Sequence, residues 1–185
     1  MTQEQHFNKL STQSSDINEH LPVLKQYAEE CKHITEMGVR SVVSTFAFLM
    51  GKPDYLLSID MNHPSNYPGG EANLDLVKHY ANETGVDFMF QLGDTTKISI
   101  EPTDFLFIDT WHVYDQVKKE LELHADKVSK YIGFHDTTTF ATRGETVGHR
   151  GLWPAIEEFL SNHPEWVIDI RKNNNNGLTI LKRTK

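Results

Sequence analysis

The sequence predicts an α/β fold: a Rossmann-like, mostly parallel sheet of seven strands with helices on both faces and an antiparallel C-terminal hairpin. Three observations carry this. Strand-length apolar runs alternate with segments of helical periodicity. The runs are continuous, as in YLLSID (55–60) and DFLFID (104–109), and the last two face each other across an asparagine-rich turn. Strands buried on both faces read as unbroken apolar runs, and parallel strands need helical crossovers between them. The closing pair, 166–171 and 178–182 across residues 173–177, reads as a hairpin.

Taken in order, residues 1–15 are rich in Gln, Ser, Thr and Asn and are expected to form a flexible tail, leaving 16–185 as a single domain. Residues 18–32 set Leu21, Leu24, Ala28 and Cys31 on one helical face, with Pro22 tolerated in the first turn. Residues 33–38 read as a strand running into a turn, and 44–50 as a buried helix stopped by Gly51-Lys52-Pro53. The second strand, 55–60, is followed by a loop over 62–70, where two prolines, two glycines and two asparagines gather. A helix over 71–84 turns Leu74, Val77 and Ala81 inward, and strands follow at 86–92 and 104–109. The helix over 113–125 directs Val117 and Leu121, with His124 or Ala125, to one side, and Lys118, Lys119, Glu120 and Glu122 read as its solvated face. The fifth strand is 130–136. Residues 138–151 have few apolar anchors and three glycines and are expected to be mobile, with Arg143, His149 and Arg150 exposed; a helix over 153–162 carries Pro154 in its first turn.

Composition narrows the function. The chain has 185 residues, 38% hydrophobic and 24% charged, which is ordinary for a globular protein. A net charge of −8 speaks against nucleic acid as a partner, because such binding leans on clustered Lys and Arg. The longest apolar run, 42–50, falls far short of the roughly 18 residues a membrane span needs. The first 15 residues lack the apolar stretch of a signal peptide, and Cys31, the lone cysteine, has no partner for an internal disulfide. A cytoplasmic setting is expected.

In open α/β sheets ligands bind beyond the carboxyl ends of the strands. Here successive strands deliver Glu36, Asp60, Asp94, Asp109, and His135 with Asp136 to that rim. Carboxylates gathered without partners repel one another, so a ligand or a cation is the simplest reason for them. The first turn carries Glu36-Met37-Gly38, and Asp60 follows about 20 residues later, the offset at which a nucleotide ribose meets a carboxylate. A dinucleotide fingerprint would need glycines where Arg40 and Val43 stand, so a pyrophosphate would lack its cradle, whereas an adenosyl ligand without phosphates needs none. Asp94 is placed to meet an adenine edge. Ser44 and Thr45 are placed to offer hydroxyls and backbone N–H groups to a ligand carboxylate at a helix start.

Beyond the fourth strand, Asp109-Thr110-Trp111-His112-Val113-Tyr114 offers His112 as a general base with Asp109 to orient it. Trp111 and Tyr114 read as core aromatics. Asp109, His135 and Asp136 end adjacent strands and form a candidate set for a divalent cation such as Mg²⁺.

At these residues the chain resembles the class I S-adenosylmethionine (SAM)-dependent methyltransferases, in particular the branch of cephalosporin-hydroxylase-like and macrocin-type sugar O-methyltransferases. The resemblance rests on ITEMGVRSVVST (34–45), YLLSID (55–60), FLFIDTWHVYDQVKKEL (105–121), YIGFHDTTTF (131–140) and the closing GLWPAIEEFL and NGLTILKR, and runs over about 34–183. It implies a seven-stranded sheet with an antiparallel last strand, and SAM contacts at Glu36, Gly38, Ser44, Asp60 and Asp94; Met37, Thr45 and Asp109 complete the expected cofactor-binding set. It also implies a metal set at Asp109, His135 and Asp136 in which the middle ligand is usually a carboxylate. Val42 stands where the family usually has glycine, and Trp111 where metal-dependent sugar methyltransferases place a catalytic acid. The expected activity is methyl transfer from SAM to oxygen of a small polar acceptor such as a sugar or sugar conjugate, by a protein for which a homo-oligomer is compatible. The rivals are a metal-dependent hydrolase or lyase using Asp109, His135 and Asp136, and a non-catalytic adenosyl-binding module.

Overall fold

The structure, a computed structural model, describes residues 1–184 and gathers the apolar runs into one sheet. In chain order the elements are α1 (Gln3–Thr12), α2 (Leu21–Ala28), β1 (His33–Met37), α3 (Ser44–Met50), β2 (Tyr55–Asp60), α4 (Gly70–Thr84), β3 (Asp87–Leu92), β4 (Thr103–Ile108), α5 (Tyr114–His124), β5 (Val128–His135), α6 (Trp153–Asn162), β6 (Trp166–Lys172) and β7 (Leu178–Arg183). The strand order is β3-β2-β1-β4-β5-β7-β6. Pairings from β3 through β5 are parallel, and β7 runs antiparallel to both β5 and β6. The expected fold class is the observed one.

The two faces of the sheet follow from side-chain alternation. In β4, Phe105 and Phe107 point to one side and Leu106 and Ile108 to the other, as a period of two requires. The first side packs on α1 to α4 through Phe7, Leu24, Phe46, Phe48, Leu74 and Val77. The second packs on α5 and α6 through Val117, Leu121, Ile156 and Phe159. Gly133 in β5 leaves room for the aromatic pair, since a Cβ there would lie 3.0 Å from the rings of both Phe105 and Phe107.

One sequence expectation fails here. Residues 1–15 are not a frayed tail: Thr2 caps α1 in a reciprocal box with Gln5, and Phe7 is buried in the core. The polar composition hides one buried stripe, where His6 lies against Phe46. Residues 138–151 form a defined loop, closed by a bridge between Arg143 and Arg150 and by Gly151 N–H donating to the Thr142 carbonyl. Among the described residues no helix is long and apolar enough to cross a membrane.

The chain moves outward from β1 to β2 and β3, then returns to place β4 on the other side of β1. The strand order reverses between β1 and β4, and a crevice opens beyond their carboxyl ends at such a point.

Candidate active site

A cavity of about 610 Å³ lies at that crevice, lined among others by Gly38, Asp60, Asp94, Asp109, Trp111 and His112. A smaller cavity of about 300 Å³ lies between α5 and α6, lined by side chains of those helices and the ends of their loops, away from the strand ends.

The floor is set by Gly38. It adopts φ +86° after β1, and a Cβ there would lie 1.9 Å from the carbonyl oxygen of Asp109, so β1 and β4 can approach at their ends only over a glycine. The turn that follows holds Arg40 at φ 45° and Val42 at φ 65°. A β-branched residue rarely enters the left-handed region, so Val42, fully buried, stores strain where the resemblance expects glycine.

Asp60 anchors this turn. Its Oδ2 accepts from the N–H groups of Val39 (2.8 Å) and Arg40 (3.0 Å), and Oδ1 from that of Asn62 (2.8 Å). A carboxylate offers about four acceptor positions, so room remains for a ligand hydroxyl. Asp94 lines the cavity with Oδ1 accepting from the Thr96 N–H and hydroxyl and Oδ2 paired to Lys97 at 2.8 Å. The hydrogen bond from Lys97, then those from Thr96, hold its pKa down to about 2.

Glu36, Met37, Ser44 and Thr45 lie beneath the cavity rather than in its wall. Glu36 and Met37 are fully buried. The hydroxyls of Ser44 (2.5 Å), Thr45 (2.7 Å) and Ser58 (2.6 Å) all donate to the Glu36 carboxylate. Ser44 and Thr45 therefore do not present hydroxyls to a ligand; they tie α3 to β1. Burial pushes Glu36 up to about 7 against these three donors.

The charged centre lies beyond β4 and β5. His112 Nε2 is 3.1 Å from Asp109 Oδ1 and 2.9 Å from Asp136 Oδ2, and its Nδ1 is 3.0 Å from Glu145 Oε2. Its ring stacks on Phe140 at 4.9 Å. The ligand atoms that converge are those of Asp109, His112 and Asp136, all within 4.8 Å of one another. His112 thus joins the expected group, in which buried His135 turns its Nδ1 to the same two carboxylates, 3.5 Å from Asp109 and 3.6 Å from Asp136, and its Nε2 to the Asn175 carbonyl.

Burial alone would lower both histidines, but the carboxylates outweigh it. Hydrogen bonds to Asp109 and Asp136 push His112 up to about 10, and the Asp109 charge does the same for His135. In turn Asp109, which burial would raise, is held well below the usual carboxylate range by the His135 charge and the His112 hydrogen bond, and Asp136 is lowered by the same pair. His112 is thus an imidazolium between carboxylates, which is not the neutral state that a general base requires.

Several lining residues escaped the sequence reading. Trp111 is 44% exposed rather than core, and its Nε1–H donates to Thr146 Oγ1 of the 138–151 loop. Met61, at 71% exposure, and Tyr67 flank Asp60 on the rim. Thr95, Thr110 and Gln116 form another wall, backed by Glu120. Glu120 is fully buried, contrary to its reading as solvated. Its spacing from Val117, Leu121 and His124 carried that signal.

A seven-stranded sheet in this order, with the last strand antiparallel and the crevice at the β1/β4 reversal, is the fold of the class I SAM-dependent methyltransferases. Solved structures that share this fold include several methyltransferases. The O-methyltransferase of Bacillus cereus in complex with SAH is 12% identical (TM-score 0.62), covering 98% of this chain and 90% of its own. The O-methyltransferase TomG of Streptomyces achromogenes, involved in tomaymycin synthesis and solved with SAM, is 14% identical (TM-score 0.61; 99% and 86% covered). SAH-bound methyltransferase PaMTH1 of Podospora anserina is 15% identical (TM-score 0.59; 99% and 88%). Comparison of the sequence with protein-family models and with curated proteins gives no match.

Proposed function

We propose that this chain is a SAM-dependent O-methyltransferase acting on a small polar acceptor such as a sugar or sugar conjugate. The observation that carries the reading is the cavity at the strand reversal, which brings Gly38, Asp60, Asp94 and Asp109 together with His112 in one wall. Its volume falls within the roughly 300–1,000 Å³ of small-molecule sites. Gly38 admits the cofactor close to the backbone, Asp60 takes a ribose hydroxyl on its spare lone pair, and Asp94 lies toward the adenine. The lone Cys31, buried and unpaired, fits a reducing cytoplasm.

The reaction asks little covalent chemistry of the protein. The methyl carbon leaves sulfur, which keeps the bonding pair, and joins the acceptor oxygen, which loses its proton. Alignment of acceptor and sulfonium is worth roughly 7–11 kcal/mol. Held as an imidazolium, His112 cannot take that proton, and Asp109 and Asp136, whose pKa values the histidines lower, are weak acceptors for it; the proton passes to solvent water, and the charged cluster serves to position the acceptor hydroxyl.

The same residues fit a divalent cation. Distances of 2.9 and 3.1 Å between ligand atoms match the roughly 3 Å edge of an octahedron with bonds of about 2.1 Å, and Glu145 on Nδ1 would hold the imidazole in the tautomer that frees Nε2. A bound Mg²⁺ would supply Lewis acidity that lowers the pKa of an acceptor hydroxyl.

Calorimetry with SAM and SAH, with and without Mg²⁺, tests the cofactor; methyl transfer to a panel of sugars and sugar conjugates, in EDTA and after Mg²⁺ or Mn²⁺ is restored, tests the chemistry. Saturable binding with turnover on a hydroxylated acceptor supports the reading. Binding without transfer to any acceptor leaves an adenosyl-binding module, and no binding removes the reading. Turnover unchanged in EDTA assigns the charged centre to the acceptor alone.

A further inference from the structure

Glu120 lies behind the cavity wall rather than in it, and its carboxylate gathers protons from three side chains that do line the cavity. Oε1 accepts from the Thr95 hydroxyl (2.5 Å) and from Gln116 Nε2–H (2.8 Å); Oε2 accepts from the Thr110 hydroxyl (2.9 Å). The second amide hydrogen of Gln116 goes to Thr95 Oγ1 at 3.2 Å. Each hydroxyl has one proton and the amide two, so every side-chain proton of these residues is committed. Beside them, the Thr96 hydroxyl donates to Asp94. His124 Nε2, 2.8 Å from the Thr95 carbonyl, fixes the segment from behind. With Glu120 ionised, the side chains of this wall therefore offer the cavity lone pairs only, on Thr110 Oγ1 and Gln116 Oε1 and, in part, Thr95 Oγ1.

We propose that Glu120 is a positioning residue that makes this wall acceptor-only and so selects a purine with an exocyclic amino group, adenine over its 6-oxo counterpart. The proposal rests on the assignment of the cavity to an adenosyl cofactor. A 6-amino group donates to such a wall. A 6-oxo group meets only side-chain lone pairs, and its desolvation goes uncompensated. No charged contact to the ligand is involved: the carboxylate acts by fixing which way three neighbours point.

The test compares, above pH 8 where Glu120 is ionised, the affinities for SAH and S-inosylhomocysteine, which differ in the 6-substituent and in the proton that the 6-oxo form carries on N1. The wild-type protein is expected to prefer SAH by about tenfold or more. In Glu120→Gln the new amide donates to one of the hydroxyl oxygens and turns that proton toward the cavity, and the ratio is expected to fall about tenfold, toward parity. Partial unfolding lowers both affinities alike and leaves the ratio unmoved. Should Glu120→Gln fail to fold, Thr110→Val, which removes one lone pair from the wall and leaves Glu120 in place, is expected to reduce the ratio in the same direction. A wild-type protein without preference, or a ratio that neither variant changes, overturns the role of Glu120 while leaving SAH binding intact. If SAH itself does not bind, the adenosyl assignment fails and this proposal with it.

Discussion

At the scale of residues, the site works by multiple use of carboxylates. Asp60 holds the turn after β1 through Val39 and Arg40, holds the turn after β2 through Asn62, and keeps one acceptor position for the ligand. Asp60→Ala is therefore expected to weaken SAH binding by at least ~1.5 kcal/mol, roughly tenfold, when measured by calorimetry. It should also lower the melting temperature, because three backbone amides lose their partner. Affinity equal to wild type would remove Asp60 from the ribose. The position of Asp60 was legible in the sequence, since it ends an apolar run about 20 residues past a turn glycine. Its use by the backbone was not, because that depends on the left-handed Arg40 and Val42. His112 reads the other way. Its candidacy as a reactive group was visible, but only the fold shows it between Asp109 and Asp136, and their charges make it a cation rather than a base.

At the scale of elements, the loop 138–151 borders the charged centre. Glu145 reaches Nδ1 of His112, the Glu145 N–H donates to the His112 carbonyl, and Thr146 accepts from Trp111. These contacts, with the Tyr114 N–H donating to the Arg150 carbonyl and the Arg150 guanidinium over the Tyr114 ring, fasten an otherwise exposed loop to the cavity rim. The remaining residues bury little, and Val147 is fully exposed, so opening costs little. We therefore expect 141–150 to act as a lid. Hydrogen exchange over these residues should slow when cofactor and acceptor are both bound, and equal exchange with and without them would count against the lid. The sequence marked this segment through its glycines and missing apolar anchors. It could not show Glu145 as a point of attachment, which lies 33 residues from its partner. Helix α1 teaches the reverse lesson. The Thr2/Gln5 capping pair was present in the sequence, but a single buried stripe is faint in so polar a segment.

At the scale of the whole molecule, pH dependence of stability is a contest between two sets of buried carboxylates. Asp109 and Asp136, paired with histidines, have lowered pKa values and stabilise the fold above the unfolded carboxylate range. Glu36 and Glu120 are the opposite case: burial raises both to about 7, from an ordinary 4.5. The folded state binds these protons more tightly than the unfolded chain, so this contribution is fully present below pH 4.5 and is lost as pH rises through 7. Glu36→Gln keeps the volume and cannot ionise. Its melting temperature relative to wild type is expected to improve steadily from about pH 5 to about pH 8, by up to about 3 kcal/mol in stability, on top of a constant cost for poorer acceptance of three hydroxyls. A difference independent of pH would show that Glu36 does not titrate in this window.

The sequence by itself determined the architecture. Continuous apolar strands, helical stripes and a closing hairpin carry the sheet, because burial on both faces is written in local composition, and the acids that end the strands mark the rim. What tertiary structure decided is which of those acids meet the cavity. Glu36 turned inward to bind Ser44, Thr45 and Ser58; His112 joined His135 beside Asp109 and Asp136; Glu120 took a place behind the wall that its charged neighbours on the helix had disguised. Each of these outcomes depends on the direction in which a side chain leaves its strand or helix relative to partners far away in sequence. Periodicity fixes the face of an element on which a residue lies, but the partner it meets there is set only when the elements pack.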